Sequence, residues 1–327
     1  MNDPRWASID AFAEQNRENI LRDITRLVAV LSVEGTPEPG APFGAGPKAA
    51  LDKALEIASE LGLATHDAEG YIGWAETGPI ADGQKYLATI THTDVVPEGN
   101  GWDADPYTVR VRDGWLLGRG VADDKGPSIL CLYALKYLKD SGVELKYPVR
   151  ALLGTNEETN MHDVDYYAEH YPMPAFCFTP DAEFPVCNGE KGGFNGEIVS
   201  PKLEGGVMVD FVGGVARNAV PDRASCTLRV AAESLKLTDG VTAEAGENGT
   251  TVLRGWGKSG HAAMPEGTVN AIGLLVNCLL ENSIGTPQER AYWKVLQTLH
   301  AAYDGSALGI AADDGLFDPL TIIGGTI

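Results

Sequence analysis

The sequence predicts an α/β protein, in which strands of a mostly parallel central sheet alternate with flanking helices, followed by a second, α+β domain. Three observations carry the prediction. Strand-length apolar runs alternate with longer runs of helical period over residues 1–187. From Asn188 the texture changes to short strands separated by glycine turns, ending in one long helical run. Finally, histidine and carboxylate residues gather at the exits of the predicted strands.

Taken in order, "SIDAFAEQNRENILRDITRLVAVLS" offers Ser8 as an N-cap and places Phe12, Ile20, Ile24, Leu27, Val28 and Leu31 on one helical face. A Gly/Pro-rich loop follows, and Pro47 is expected to begin a second helix through "KAALDKALEIASELG". Strands are predicted at "YIGWAE" and "KYLATITH", a hairpin at "YTVRVRDGWLLG", a helix at "GPSILCLYALKYLKDSG" and a strand at "PVRALLG". A helix around "DVDYYAEHY" and a strand at "AFCFTP" complete the first domain. In the second, "GGFNGEIVS", "GGVMVDFVGG", "ASCTLRVAAESL" and "GTTVLRGWG" read as strands, and "TVNAIGLLVNCLLENS" as the long helix.

Composition narrows the function. With 327 residues and 44% hydrophobic content the chain can bury a substantial core. Lys and Arg number 25 against 46 Asp and Glu, and a formal charge of −21 repels phosphate backbones and anionic lipid, so neither nucleic acid nor membrane is an expected partner. The N-terminus lacks the basic start and apolar core of a leader, and no segment approaches about 18 uninterrupted apolar residues, which predicts a cytoplasmic protein. Five cysteines without a C-x-x-C pair suggest neither a disulfide framework nor a cysteine metal site.

Four clusters could carry chemistry. His92 and Asp94 in "ATITHTDVVPEG" lie two apart where a strand ends, so their side chains share a side. Asp123 and Asp124 in "GRGVADDKGP" precede a helix. Glu157 and Glu158 in "LLGTNEETN" follow an apolar strand, and Asp181 in "FCFTPDAEFPV" follows another. In an α/β sheet the carboxyl ends of the strands form the ligand-binding edge, so clusters distant in sequence converge. One imidazole with several carboxylates is the donor set of zinc or a related metal. Taken singly, each residue reads more readily as a core or surface histidine, a loop charge or a helix cap than as a ligand. "GRGVADDKG" is no nucleotide loop, since Asp stands where the third glycine belongs and two carboxylates would oppose a phosphate.

In this order "THTDVVP", "GRGVADDKG", "NEET" and "TPDAEFPV" resemble the di-zinc metallopeptidase family of aminoacylases, carboxypeptidase G and dipeptidase V. "TPDAEFPVCNGEKG" and "SGHAAMPEGTVNAI" resemble most the dipeptidase V branch, whose members are carnosinase-like, Xaa-His dipeptidases. The resemblance implies a catalytic domain with an inserted lid, here residues 1–187 and 188–327. It implies His92, Asp123 and Asp181 as ligands of a first metal, with Asp123 bridging to a second held by Glu158, and the Asp123–Asp124 bond often cis. Asp94 then orients the His92 ring, and Glu157 is the general base. His261 and Asn218 resemble lid residues that reach the substrate, while His66, His162, His170 and His300 match no motif position.

The implied activity is metal-dependent hydrolysis of dipeptides or short peptides by a monomer or homodimer holding two zinc ions, or manganese or cobalt in their place. Two metals about 3.5–4 Å apart lower the pKa of a water toward about 7. The family's late histidine, a ligand of the second metal, and its substrate-binding arginine find no counterpart before Ile327. The expectation is therefore a C-terminally truncated chain, with the lid incomplete, the second half of the catalytic domain absent and its activity weak. The alternatives are a deacylase of N-acyl amino acids from the same family, and a non-catalytic binding protein that keeps the fold.

Overall fold

The computed structural model describes residues 4–182 and 185–327. Glu183 and Phe184 of the fourth motif lie outside the described residues. The chain divides into two compact units, Met1–Asn188 and Gly189–Ile327.

The first unit opens with helices α1 (Pro4–Val28) and α2 (Ala45–Glu60). Ser8 is not the cap of α1, which begins one turn earlier at Pro4, a residue suited to a helix start because its missing N–H needs no partner there. The Ser8 hydroxyl instead receives that of Tyr137 at 3.0 Å. Pro47 likewise sits inside the first turn of α2, which starts at Ala45.

Strands β1 (Ala64–Ala68), β2 (Ile72–Glu76) and β3 (Leu87–His92) follow, then the hairpin β4 (Arg110–Arg112) and β5 (Trp115–Leu117). Asp113 and Gly114 turn the hairpin at φ 52° and 84°, the pair of positive values a two-residue turn of this hand requires. Helix α3 (Lys125–Asp140), strand β6 (Val149–Gly154), helix α4 (His162–His170) and strand β7 (Phe176–Phe178) complete the unit.

Five strands form one sheet in the order β1-β2-β6-β3-β7. β3 runs parallel to both β6 and β7, whereas β1 and β2 are antiparallel to their neighbours, so the sheet is mixed and its parallel part is the part that matters for function. Successive side chains of β6 alternate between two cores. Ala151 and Leu153 join Leu27, Leu51, Ile57, Ile129 and Leu132 beneath α1, α2 and α3, while Leu152 joins Ile72, Trp74, Tyr86 and Tyr167 on the other face. Burial on both faces explains why "RALLG" reads as an unbroken apolar run after its arginine.

That arginine is itself buried. Arg150 is 8% exposed, pairs across the strands with Glu76 (Nε to Oε1 2.8 Å) and lies over the rings of Trp74 (4.3 Å) and Tyr86 (4.7 Å). Arg150→Ala is expected to lower unfolding free energy by up to about 3–5 kcal/mol, because Glu76, largely but not wholly buried, is left as a charge without its partner. The Arg150→Ala/Glu76→Ala double variant should lose less than the two single losses added. Urea titration of the four proteins checks both, and a single-variant loss below about 1 kcal/mol, the size of a solvent-exposed pair, would contradict the assignment.

The second unit holds a four-stranded antiparallel sheet in the order β10-β11-β9-β8, built from β8 (Met208–Gly213), β9 (Arg223–Leu228), β10 (Val241–Ala245) and β11 (Thr251–Trp256). Helices α5 (Ala271–Glu281) and α6 (Pro287–Leu299) complete its core, where Leu228, Leu253, Ile272, Leu275, Val276 and Trp293 are buried. "GGFNGEIVS" forms no strand: its residues pair with no neighbouring strand among the described residues, and Phe194 is exposed. Alternation alone does not make a strand without a partner to complete the ladder.

Candidate metal centre

Because β3, β6 and β7 are parallel, their carboxyl ends open on one edge of the sheet. His92 closes β3, opposite Gly154 at the end of β6. Glu157 and Glu158 follow β6, Asp181 follows β7, and Asp123 and Asp124 lie at the start of α3, which packs on β3 and β6. The fold thus delivers four segments distant in sequence to one place.

The His92 ring is the centre of the arrangement. It is 2% exposed, and its Nε2 lies 3.0 Å from Asp123 Oδ1, 3.4 Å from Asp181 Oδ2 and 3.8 Å from Glu157 Oε2. Its Nδ1 faces the opposite way, 3.0 Å from the Asp94 carbonyl and 3.3 Å from Asp94 Oδ1. One nitrogen is therefore held by Asp94 and the other is turned to the carboxylates. Ligand atoms of His92, Asp123 and Asp181 all lie within 4.8 Å of one another.

Asp94 does a second task. Its Oδ1 accepts the Glu157 N–H at 3.3 Å and its Oδ2 that of Glu158 at 3.1 Å, so one buried carboxylate sets both the imidazole and the glutamate pair. Glu158 Oε1 in turn accepts the Val96 N–H at 3.3 Å. The Asp123–Asp124 peptide is cis. Asp124 turns inward, accepting the His92 N–H at 3.1 Å through Oδ2, while its buried Oδ1 has no hydrogen-bond partner among the described residues.

The electrostatics fit a cation. Burial raises the carboxyl of Glu158 to about 7, with the charge of Asp123 adding to it. Burial likewise lifts Asp124 to about 8, opposed by His92 and reinforced by Asp181 and Asp123. Glu157 is also raised, again first by burial. At His92 burial works against the charged ring, but Asp123, Asp181 and Asp94 outweigh it and push its pKa well up. These carboxylates hold positive charge where they converge, and a divalent ion supplies that charge better than a proton. The donor set of one imidazole and several carboxylates, with an unpaired buried carboxylate oxygen behind it, fits a zinc-type metal.

His261 and Asn218 belong to the second unit. The fold brings them onto adjoining segments: Ala219 bridges His261, and the Ala262 N–H donates to the Asn218 carbonyl at 2.8 Å. Both side chains are exposed, and His261 Nδ1 accepts the Ala263 N–H at 3.2 Å. The remaining histidines are engaged elsewhere or apart from the cluster, His66 stacked on Trp74 and His170 on Tyr166.

The chain is similar in sequence to known proteins. The family described as "Peptidase family M20/M25/M40" matches residues 88–305. The chain is 34% identical to the "Putative dipeptidase YtjP" of Bacillus subtilis over 329 residues, covering 96% of this chain and 70% of that protein. It is also 34% identical to the Beta-Ala-Xaa dipeptidase of Lactobacillus delbrueckii subsp. lactis over 325 residues, covering 94% of this chain and 68% of the relative. Human carnosine dipeptidase 1 superposes with a TM-score of 0.45 at 18% identity, over 64% of this chain and 46% of that one.

Family and relatives define a metallopeptidase, a hydrolase of peptide bonds. The chain belongs to peptidase family M20/M25/M40. No described helix is long and apolar enough to cross a membrane.

Proposed function

We propose that the protein is a dipeptidase that binds two zinc ions, or manganese or cobalt in their place, and hydrolyses dipeptides bearing a free amino end. The observation that carries this reading is the convergence of His92 Nε2, Asp123 and Asp181 within 4.8 Å beside the Glu157–Glu158 pair. His92, Asp123 and Asp181 would hold one ion, and Asp123 with Glu158 a second. Bound there, the ions supply Lewis acidity toward the peptide carbonyl and acidify water.

The chain's own residues do the rest. Glu157 takes a proton from the attacking water and delivers it to the amine nitrogen as the carbon–nitrogen bond breaks, leaving a carboxylate and a free amine. Its raised pKa suits both halves of that transfer. Asp94 keeps the His92 ring turned so that Nε2 faces the carboxylates. On the motif resemblance, His261 donates to the carbonyl oxygen as negative charge develops on it, and Asn218 contacts the substrate. The two relatives, both named dipeptidases, support a dipeptide rather than an acylated amino acid as substrate.

A substrate panel tests the reading. The protein loaded with zinc, manganese or cobalt should release amino acids from dipeptides, lose activity to a chelator and regain it on metal addition. N-acetyl amino acids should remain intact; their cleavage with dipeptides untouched would make the protein a deacylase instead.

A further inference from the structure

The loop that carries the glutamate pair is held by two carboxylates, only one of which belongs to the motifs. Asp163, fully buried in the first turn of α4, accepts the Thr155 N–H at 2.7 Å and the Asn156 N–H at 3.1 Å through Oδ2. Its Oδ1 accepts the Val164 N–H at 2.8 Å. Asp94 takes the next two amides, those of Glu157 and Glu158. Four consecutive backbone N–H groups, residues 155–158, thus end on two buried aspartates, Asp163 from α4 and Asp94 from the end of β3.

The site is built to admit this carboxylate. A Cβ at Gly154 would stand 2.5 Å from Asp163 Oδ2, so the residue that ends β6 must be glycine for Asp163 to reach the loop. Asn156 adds a third tie, its Oδ1 accepting the His162 N–H at 3.2 Å. A loop so fully pinned has little freedom to move its two glutamates, and catalytic groups lose about 10²-fold in rate for a displacement near 1 Å.

We infer that Asp163 is a positioning residue for catalysis, acting through Glu157 by fixing the backbone of the loop from which that general base projects. The inference rests on the assignment of Glu157 as the base. A residue that merely anchors α4 would affect stability and add its effect to any other; one that acts through Glu157 has nothing left to position once Glu157 is gone.

The test is a double-variant cycle on the metal-loaded protein with a dipeptide substrate. Asp163→Asn should lower kcat by about 30- to 100-fold with KM changed less than about threefold. In a Glu157→Gln background the same change should alter the residual rate by less than about twofold. Gly154→Ala, which keeps Asp163 but displaces its carboxylate, should reproduce the pattern, and it runs the cycle if Asp163→Asn does not fold. Should the losses multiply in the double variant while Glu157→Gln alone is crippled, the inference fails and the dipeptidase reading stands. Full turnover in Glu157→Gln alone would overturn Glu157 as the base and this inference with it, whereas a parent that leaves dipeptides intact would overturn the dipeptidase reading.

Discussion

Glu157→Gln is expected to lower kcat by about 10²- to 10⁴-fold while leaving bound metal unchanged. The side chain stands 3.8 Å from His92 Nε2, beside the ring nitrogen assigned to the metal, and its main-chain N–H is fixed by Asp94. Glutamine keeps size and backbone contacts, so only the capacity to accept and return a proton is removed. Initial rates with a dipeptide, paired with elemental analysis of the same sample, separate the two readouts. A rate within about tenfold of the parent, below the usual contribution of a general base, would remove Glu157 from the mechanism.

Asp94→Ala should weaken metal binding by about 10- to 100-fold, the usual effect of losing the group that orients a ligating imidazole. The loss reaches further than the ring, because the Glu157 and Glu158 N–H groups also lose their acceptor. Leaving these part-buried amide donors unpaired costs up to about 1–3 kcal/mol each, so a lower melting temperature should accompany the weaker binding. Calorimetric titration with zinc measures the affinity, and an isotherm indistinguishable from the parent's would show that Asp94 does not serve His92.

The centre was legible because of where its residues fall, more than because of what they are. His92, Asp123, Glu157, Glu158 and Asp181 each sit at a strand exit or the start of a helix, and three parallel strands bring those positions to one edge. Asp163 carried no such mark, since an acid in the first turn of a helix is ordinary. Its role arises only when α4 folds back on the end of β6, and the sole trace in sequence is Gly154, where side-chain clearance is needed. Arg150 was hidden in the same way inside an apolar strand.

Three elements absent from the sequence reading, α6, β1 and β10, have physical causes for it. Helix α6 announces itself by a capping box, with Thr286 Oγ1 accepting the Glu289 N–H at 3.2 Å and the Glu289 carboxylate accepting that of Thr286 at 2.7 Å, but its charged sequence obscures the apolar stripe. Glu289 also receives the Met208 N–H at 2.8 Å, a tie between α6 and β8 that no local pattern could reveal. Strands β1 and β10, "ATHDA" and "VTAEA", are short, polar and lie at sheet edges, so partners rather than propensity make them strands.

The central claim is that the His92, Asp123 and Asp181 cluster binds the catalytic metal. Elemental analysis after equilibrium dialysis against zinc, on the parent and on His92→Ala, tests it most directly. The parent should retain zinc and hydrolyse dipeptides, and His92→Ala should lose both while remaining folded. Parent-level zinc in His92→Ala, or full dipeptide hydrolysis by the metal-stripped parent, would contradict it.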